Sequence, residues 1–257
     1  MEEKALLYRV LKGVGLVTIN RPDQGNAITP EVTALFHQAL AGAEKDEAVR
    51  VLQVTGAGEK AFCTGGQLSR RFGKAEEGDP SLEYAELLDK LVRFPKPTLA
   101  RVRGACLAGG LGLMLACDIA IAAEEARFGT PEINVGLWPM MIGALIFRNA
   151  PRKRAMEMIL LGERMTAQEA LAMGLITRVV PAARLDEAVD GVITTLSGKS
   201  PIGIRLGKQA FYEMADMPLR EALLYLSEKL KEVAATEDAR EGIAAYQEKR
   251  PPQFKGR

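Results

Sequence analysis

A chain of 257 residues, 47% hydrophobic and 26% charged, has room for one large domain and the composition of a globular protein. Its 34 Lys and Arg against 33 Asp and Glu leave a net charge of +1, which excludes the basic footprint of a nucleic-acid binder or of a surface built for anionic membranes. Cys63, Cys106 and Cys117 have no paired close spacing and His37 is the one histidine, which excludes a zinc site; unpaired thiols suit a reducing cytoplasm.

The chain opens on Met1-Glu2-Glu3-Lys4 with no signal-peptide pattern, and Leu6 to Val10 and Val14 to Ile19 read as a hairpin turned at Lys12-Gly13. Pro30 starts a helix with Val32, Leu35, Phe36, Ala39 and Leu40 on one face. Val49 to Thr55 is a β-branched strand, ended by Gly56-Ala57-Gly58 and followed by a loop through Phe62 to Arg71. Ser81 to Phe94 is helical, with Leu87, Leu88, Leu91 and Val92 as its apolar stripe and Pro95 and Pro97 as its stop. Thr98 to Val102 is a strand, Gly104 to Gly112 a small-residue turn into a helix, and Ile119 to Ala122 a further strand. The apolar stretch from Ala105 to Ala123 is broken by Gly109, Gly110, Gly112 and Asp118, and reads as core, not as a membrane span.

Helices then dominate. Pro151 precedes one over Arg152 to Leu161, Thr166-Ala167-Gln168-Glu169 is a capping box, and Gly174 closes its helix ahead of a strand over Leu175 to Val180. Four more helical patterns cover Pro181 to Leu196, Pro201 to Met214, Leu219 to Ala235 and Glu237 to Lys249. Alternating strands and helices argue for an α/β fold, with a core over residues 1–200 and a helical C-terminal region over 201–257.

Two glycine-rich segments stand out, Ala61-Phe62-Cys63-Thr64-Gly65-Gly66-Gln67-Leu68 and Gly104-Ala105-Cys106-Leu107-Ala108-Gly109-Gly110-Leu111-Gly112. Each follows a strand and leads toward a helix, so each can expose backbone N–H groups to a ligand. Two such turns face to face would make a pocket for a developing oxyanion. Tight turns and close packing explain either segment taken alone. A dinucleotide fingerprint fails on spacing, because Leu115 stands where the last small residue should fall. Glu132, in a loop punctuated by Pro and Gly, is the candidate acid/base; in isolation a Glu after Pro reads as an exposed carboxylate. His37 reads as structural. The Arg70-Arg71 pair and the Arg152-Lys153-Arg154 run read as solvated faces that could also touch phosphate. No G-x-S-x-G triad context is present.

Asn20-Arg21-Pro22 with Asn26-Ala27, the segment Lys60 to Leu68, Val102 to Asp118, Phe128-Gly129-Thr130-Pro131-Glu132 with Val135-Gly136-Leu137, Thr166 to Pro181 and the ending Lys249 to Arg257 occur in an order that resembles the crotonase superfamily, the enoyl-CoA hydratase/isomerase family. The resemblance covers nearly the whole chain. It implies a spiral of ββα units, a helical C-terminal region that mediates assembly, and a homotrimer or hexamer. It implies that the N–H groups of Gly66 and Gly109 bind the oxygen of an acyl-CoA thioester and that Glu132 moves protons. Ala61, Gly66, Gln67, Leu68, Ser69 and Gly109 would follow the bound acyl-CoA, Trp138 and Met140 would line the acyl pocket or pack as core, and Lys249 and Lys255 would meet coenzyme phosphates. No metal is implied, and no cofactor beyond the coenzyme A of the substrate. Family hydratases carry a second Glu where this chain has Gly112, which favours double-bond isomerisation over hydration. Thioester hydrolysis and a non-catalytic acyl-CoA-binding role are the alternatives.

Overall fold

A computed structural model describes residues 4–67 and 79–257. Strands β1 (Leu6–Leu11) and β2 (Val14–Ile19) form an antiparallel hairpin. Its two turn residues, Lys12 and Gly13, both have positive φ (48° and 81°), the backbone handedness that matches strand twist. Helix α1 (Pro30–Lys45) starts where the Thr29 hydroxyl accepts the Val32 N–H, and it buries Val32, Phe36, Ala39, Leu40 and Ala43.

From there a strand–strand–helix order recurs. Strands β3 (Val51–Gly56) and β4 (Ala61–Cys63) precede α2 (Pro80–Val92), and β5 (Thr98–Val102) and β6 (Ala105–Leu107) precede α3 (Gly109–Leu115). Then come β7 (Ile119–Ala123), β8 (Arg127–Gly129), a 3-10 turn (Pro131–Val135) and α4 (Met140–Asn149). The first strand of each unit enters one sheet and the second strand enters another, so the chain spirals. The larger sheet runs β1-β2-β3-β5-β7-β10, where β10 is Arg178–Val180; the smaller runs β4-β6-β8-β9, where β9 is Met165–Thr166. Pairing from β2 through β10 in the first sheet is parallel, as is β4-β6-β8 in the second. The expected α/β spiral of ββα units is what the chain forms.

Strand alternation distributes the core. Leu52, Val54, Ala100, Val102, Ala120 and Ala122 face a cluster with α1 and α2, while Val51, Leu99, Ile121 and Ala123 face α7 (Leu185–Ser197) through Leu185, Val189, Val192 and Ile193. Both faces of the parallel sheet are covered, which is why its strands read as continuous apolar runs.

The sequence reading departs from the structure in four places. The smaller sheet went unread: β4 lies in the segment expected to be loop from Phe62, and β6 in the expected small-residue turn. These strands have three residues each, too few for alternation to register. Helix α4 was unread because apolar residues occupy its whole circumference, although only Ile142 and Ile146 are buried. The strand expected over Leu175 to Val180 is confined to Arg178–Val180, since Leu175 and Ile176 are buried in the turn after Gly174. The helix expected from Pro181 begins as a 3-10 turn over Ala182–Arg184.

Helix α5 (Arg152–Leu161) and α6 (Ala167–Ala172) lead to the C-terminal helices α8 (Pro201–Met214), α9 (Leu219–Ala234) and α10 (Glu237–Gln247). Helix α8 is tied to the core by Lys208, whose ammonium donates to Asp118 (2.5 Å) and to the Lys96 carbonyl (3.1 Å). The final residues fold back on α10, where buried Asp238 accepts the N–H groups of Lys255 and Gly256. No helix among the described residues is long and apolar enough to cross a membrane.

Candidate active site

Three adjacent parallel strands of the smaller sheet, β4, β6 and β8, end side by side. Gly66 follows β4 by three residues, Gly109 follows β6 by two, and Glu132 follows β8 by three. The three residues singled out in the sequence are thus delivered to the carboxyl ends of one sheet, where backbone groups are free to face a ligand.

The first turn is held by the N-terminal segment. Buried Asn26, itself at φ 53°, accepts the Arg21 N–H (2.9 Å) and donates to the carbonyls of Ala57 (3.0 Å) and Ala61 (2.7 Å). Ile28 donates to the Gly65 carbonyl (2.8 Å), and Gln67 donates to the Ile28 carbonyl (2.9 Å). Ala61 is therefore buried within β4, whereas Gly66 and Gln67 are exposed. The Gln67 amide oxygen accepts from the Arg21 guanidinium (3.2 Å). Leu68, Ser69 and the Arg70-Arg71 pair lie outside the described residues.

The second turn presses against the first. Gly65 has φ 97°, and a Cβ there would sit 2.6 Å from the Ala108 Cβ and 3.0 Å from the Gly109 nitrogen. Only glycine allows that approach. Ala108 takes φ 49° and ψ −130°, a conformation that costs a non-glycine residue about 1–3 kcal/mol. Its N–H donates to the Gly129 carbonyl (3.0 Å), which couples the turn to the Glu132 segment. Among the described residues neither the Gly66 nor the Gly109 N–H meets an acceptor, and a Cβ at Gly66 would meet nothing within 4 Å.

Glu132 sits in the 3-10 turn closed by Gly136 at φ 75°. The residue is half-buried, and its Oε2 is buried without a hydrogen-bond partner among the described residues. Burial pushes its carboxyl above the ordinary range, offset in part by its own backbone N–H. The half-buried position sets aside the exposed loop carboxylate that a Glu after Pro suggests in isolation.

Gly112 is buried, and a Cβ there would lie 2.3 Å from Ile142 Cγ2 and 2.6 Å from the Tyr84 hydroxyl oxygen. Tyr84, 7% exposed, donates to the Gly109 carbonyl (2.5 Å). Tyr84 is not singled out by the sequence pattern, since it falls on the buried stripe of α2 with Leu87, Leu88 and Leu91. Burial lifts its phenol well above the usual range, reinforced by Cys63, Cys106 and Glu132. Cys63 stays a protonated thiol, pushed up to about 12 by burial, and offers no nucleophile.

Trp138 and Met140 are 38% and 70% exposed, so neither packs as core in this chain. Lys249 and Lys255 are exposed and belong to the tail against α10; their described contacts do not reach the Gly66 or Gly109 turns. His37 touches the Glu83 carbonyl of α2 (3.2 Å), a structural contact, and Arg154 of the basic run pairs with Glu157 on an exposed helix face.

Residues 9–257 match the family described as enoyl-CoA hydratase/isomerase. The chain is 34% identical over 252 residues to the (E)-benzylidenesuccinyl-CoA hydratase of Thauera aromatica, covering 95% of this chain and 96% of that protein. The crystal structure of the enoyl-CoA hydratase of Bacillus anthracis matches with a TM-score of 0.92 at 32% identity, covering 98% of this chain and all 100% of that one. The structure of human enoyl coenzyme A hydratase domain-containing protein 3 also matches with a TM-score of 0.92, at 29% identity over 97% of this chain and 100% of that one. The spiral of ββα units and its match over almost the entire length make this chain a member of the enoyl-CoA hydratase/isomerase family.

Proposed function

We propose that this enzyme acts on enoyl-CoA thioesters, and that its preferred reaction moves a double bond between the 3- and 2-positions of the acyl chain. The observation that carries this reading is the combination of two N–H groups and one carboxylate oxygen that meet no partner among the described residues with a glycine packed shut at residue 112. The thioester oxygen would accept from the N–H groups of Gly66 and Gly109. Glu132 would remove an α-proton from a 3-enoyl thioester, and the electron pair would move onto the oxygen as a dienolate. Charge at that oxygen is what preorganised donors stabilise; one such donor is typically worth about 2.7–4 kcal/mol. The acid form of Glu132 would return the proton to the γ-carbon, leaving the conjugated 2-enoyl thioester. Nothing is gained or lost, and no cofactor is needed beyond the coenzyme A of the substrate. A carboxyl raised by burial is suited to both halves of that transfer.

Gln67 would lie along the bound acyl-CoA with Leu68 and Ser69, Ala61 would back the same strand, and Trp138 and Met140 would border the acyl chain. Lys249 and Lys255 would reach coenzyme phosphates only through a neighbouring subunit. Residues 201–257 would form the assembly region of a homotrimer or hexamer, a reading supported by the exposed Phe211, Leu219, Leu223, Leu224, Leu230, Ile243 and Tyr246 of α8 to α10. Free, largely buried cysteines suit a cytoplasmic enzyme.

Hydration of a 2-enoyl thioester is the second reading, favoured by the hydratase name of the Thauera relative. A thioester panel separates the two. Isomerisation of a 3-enoyl-CoA raises the ultraviolet absorbance of the conjugated enoyl group, and hydration of crotonyl-CoA lowers it. Faster turnover of the 3-enoyl substrate is expected. Faster loss of crotonyl absorbance would overturn the preference in favour of hydration, release of free thiol would point to hydrolysis, and binding without turnover would leave only the non-catalytic role.

A further inference from the structure

We propose that Tyr84 is a positioning residue that holds the second oxyanion turn in place, its hydroxyl occupying the space in front of Gly112 and fastening the Gly109 carbonyl. The inference rests on the proposed role of the Gly109 N–H as an oxyanion donor. Helix α3 begins at Gly109, has only seven residues, and carries glycine at 109, 110 and 112. Glycine weakens a helix interior by about 1 kcal/mol relative to alanine, so this helix has little intrinsic tendency to keep its first turn in one geometry. Its N-cap, Ala108, is in a disfavoured conformation and supplies no side-chain cap. Something outside the helix has to hold the turn. The Ala108 N–H reaches Gly129, and among the described residues the Tyr84 hydroxyl is the only side chain that bonds the 107–112 backbone.

The phenol also determines what fits. The hydroxyl and Ile142 together fill the volume that any side chain at residue 112 would enter. Tyr84 is fixed in turn, being 7% exposed on the buried stripe of α2 with Leu87 and Leu91. A glycine at 112 and a tyrosine at 84 are thus two halves of one arrangement: the missing side chain makes room for a hydroxyl that braces the donor next to it.

Tyr84→Phe keeps the ring and deletes the brace. Acetoacetyl-CoA is the probe, because its enolate absorbs in the near ultraviolet and at neutral pH is enriched over free solution where the oxyanion is stabilised; butyryl-CoA, which cannot enolise appreciably, reports the coenzyme site alone. In the full-length protein, Tyr84→Phe should lower both the bound enolate fraction and the kcat for a 3-enoyl-CoA about 10- to 100-fold, the scale of a misplaced reacting group. KM and butyryl-CoA affinity should stay within about twofold, because the hydrogen bond acts through the donor and not on the coenzyme. An enolate band and kcat equal to the parent's would overturn the proposal. So would a parallel loss of butyryl-CoA binding, which would mark Tyr84 as general packing. Absence of the enolate band in the unmodified protein would overturn the oxyanion reading itself, and this proposal with it.

Discussion

Burying a carboxylate oxygen without a partner costs free energy, and Glu132 Oε2 is buried with none among the described residues. The unfolded chain ionises this carboxyl at the ordinary pH, while the native protein keeps its proton to higher pH. Its contribution to stability is complete below the unfolded pKa and is lost as pH rises through the native one. Glu132→Gln should therefore melt with the parent at acid pH and above it at pH 8, by less than about 1 kcal/mol because solvent screens this half-buried group; thermal melts across pH read the difference, and a variant that is less stable at pH 8 would argue against burial as the cause. Gly112 tests packing in the same way. Gly→Ala inside a helix usually gains about 0.5–1 kcal/mol, but here the new methyl would lie 2.3 Å from Ile142 Cγ2 and 2.6 Å from the Tyr84 hydroxyl. Overpacking of that kind costs about 1–3 kcal/mol, so the clash should win and Gly112→Ala should be destabilised in urea, and the double variant with Ile142→Ala should lose less than the sum of the two single losses.

The strands that set the site are among the shortest elements in the chain. Strands of five or six residues, such as Val14–Ile19 and Thr98–Val102, were legible from β-branched and apolar runs, and helices were legible from their caps: the Thr166–Glu169 box is present with both of its reciprocal bonds. Ala61–Cys63, Ala105–Leu107 and Arg127–Gly129 were not, because three residues carry no period and their pairing is wholly long-range. The glycines following two of these strands could be seen in the sequence, whereas the meeting of their turns was implied only by the family resemblance. Tyr84 was hidden for the opposite reason: it satisfies the helical stripe so well that its hydroxyl bond to another helix leaves no trace. The Asn26 anchor shows what holds a short strand. Its three side-chain bonds serve Arg21, Ala57 and Ala61 at 0% exposure. Asn26→Ala strands the Arg21 N–H and the Ala61 carbonyl and should cost about 2–4 kcal/mol in denaturant unfolding, with acyl-CoA affinity falling as β4 loosens. Unchanged affinity in a destabilised protein would separate the anchor from the site.

At the scale of the molecule, the larger sheet has helices on both faces and needs no further cover, whereas α9 leaves Leu219, Leu223, Leu224 and Leu230 between 60% and 76% exposed. A face of that size is costly in water, and association would cover it. Light scattering should give a trimer or hexamer for the parent and smaller species for Leu223→Glu with Leu230→Glu; a parent that runs as a monomer would contradict the assembly reading. The most direct test of the chemistry is proton exchange. A 3-enoyl-CoA incubated in D2O with the enzyme should take up deuterium at the α- and γ-carbons, followed by NMR, and Glu132→Gln should slow that uptake by about 10²- to 10⁴-fold, the usual contribution of a general acid–base. Uptake at the parental rate in the Gln variant would show that another group moves the proton, and the account built on Glu132 would be wrong.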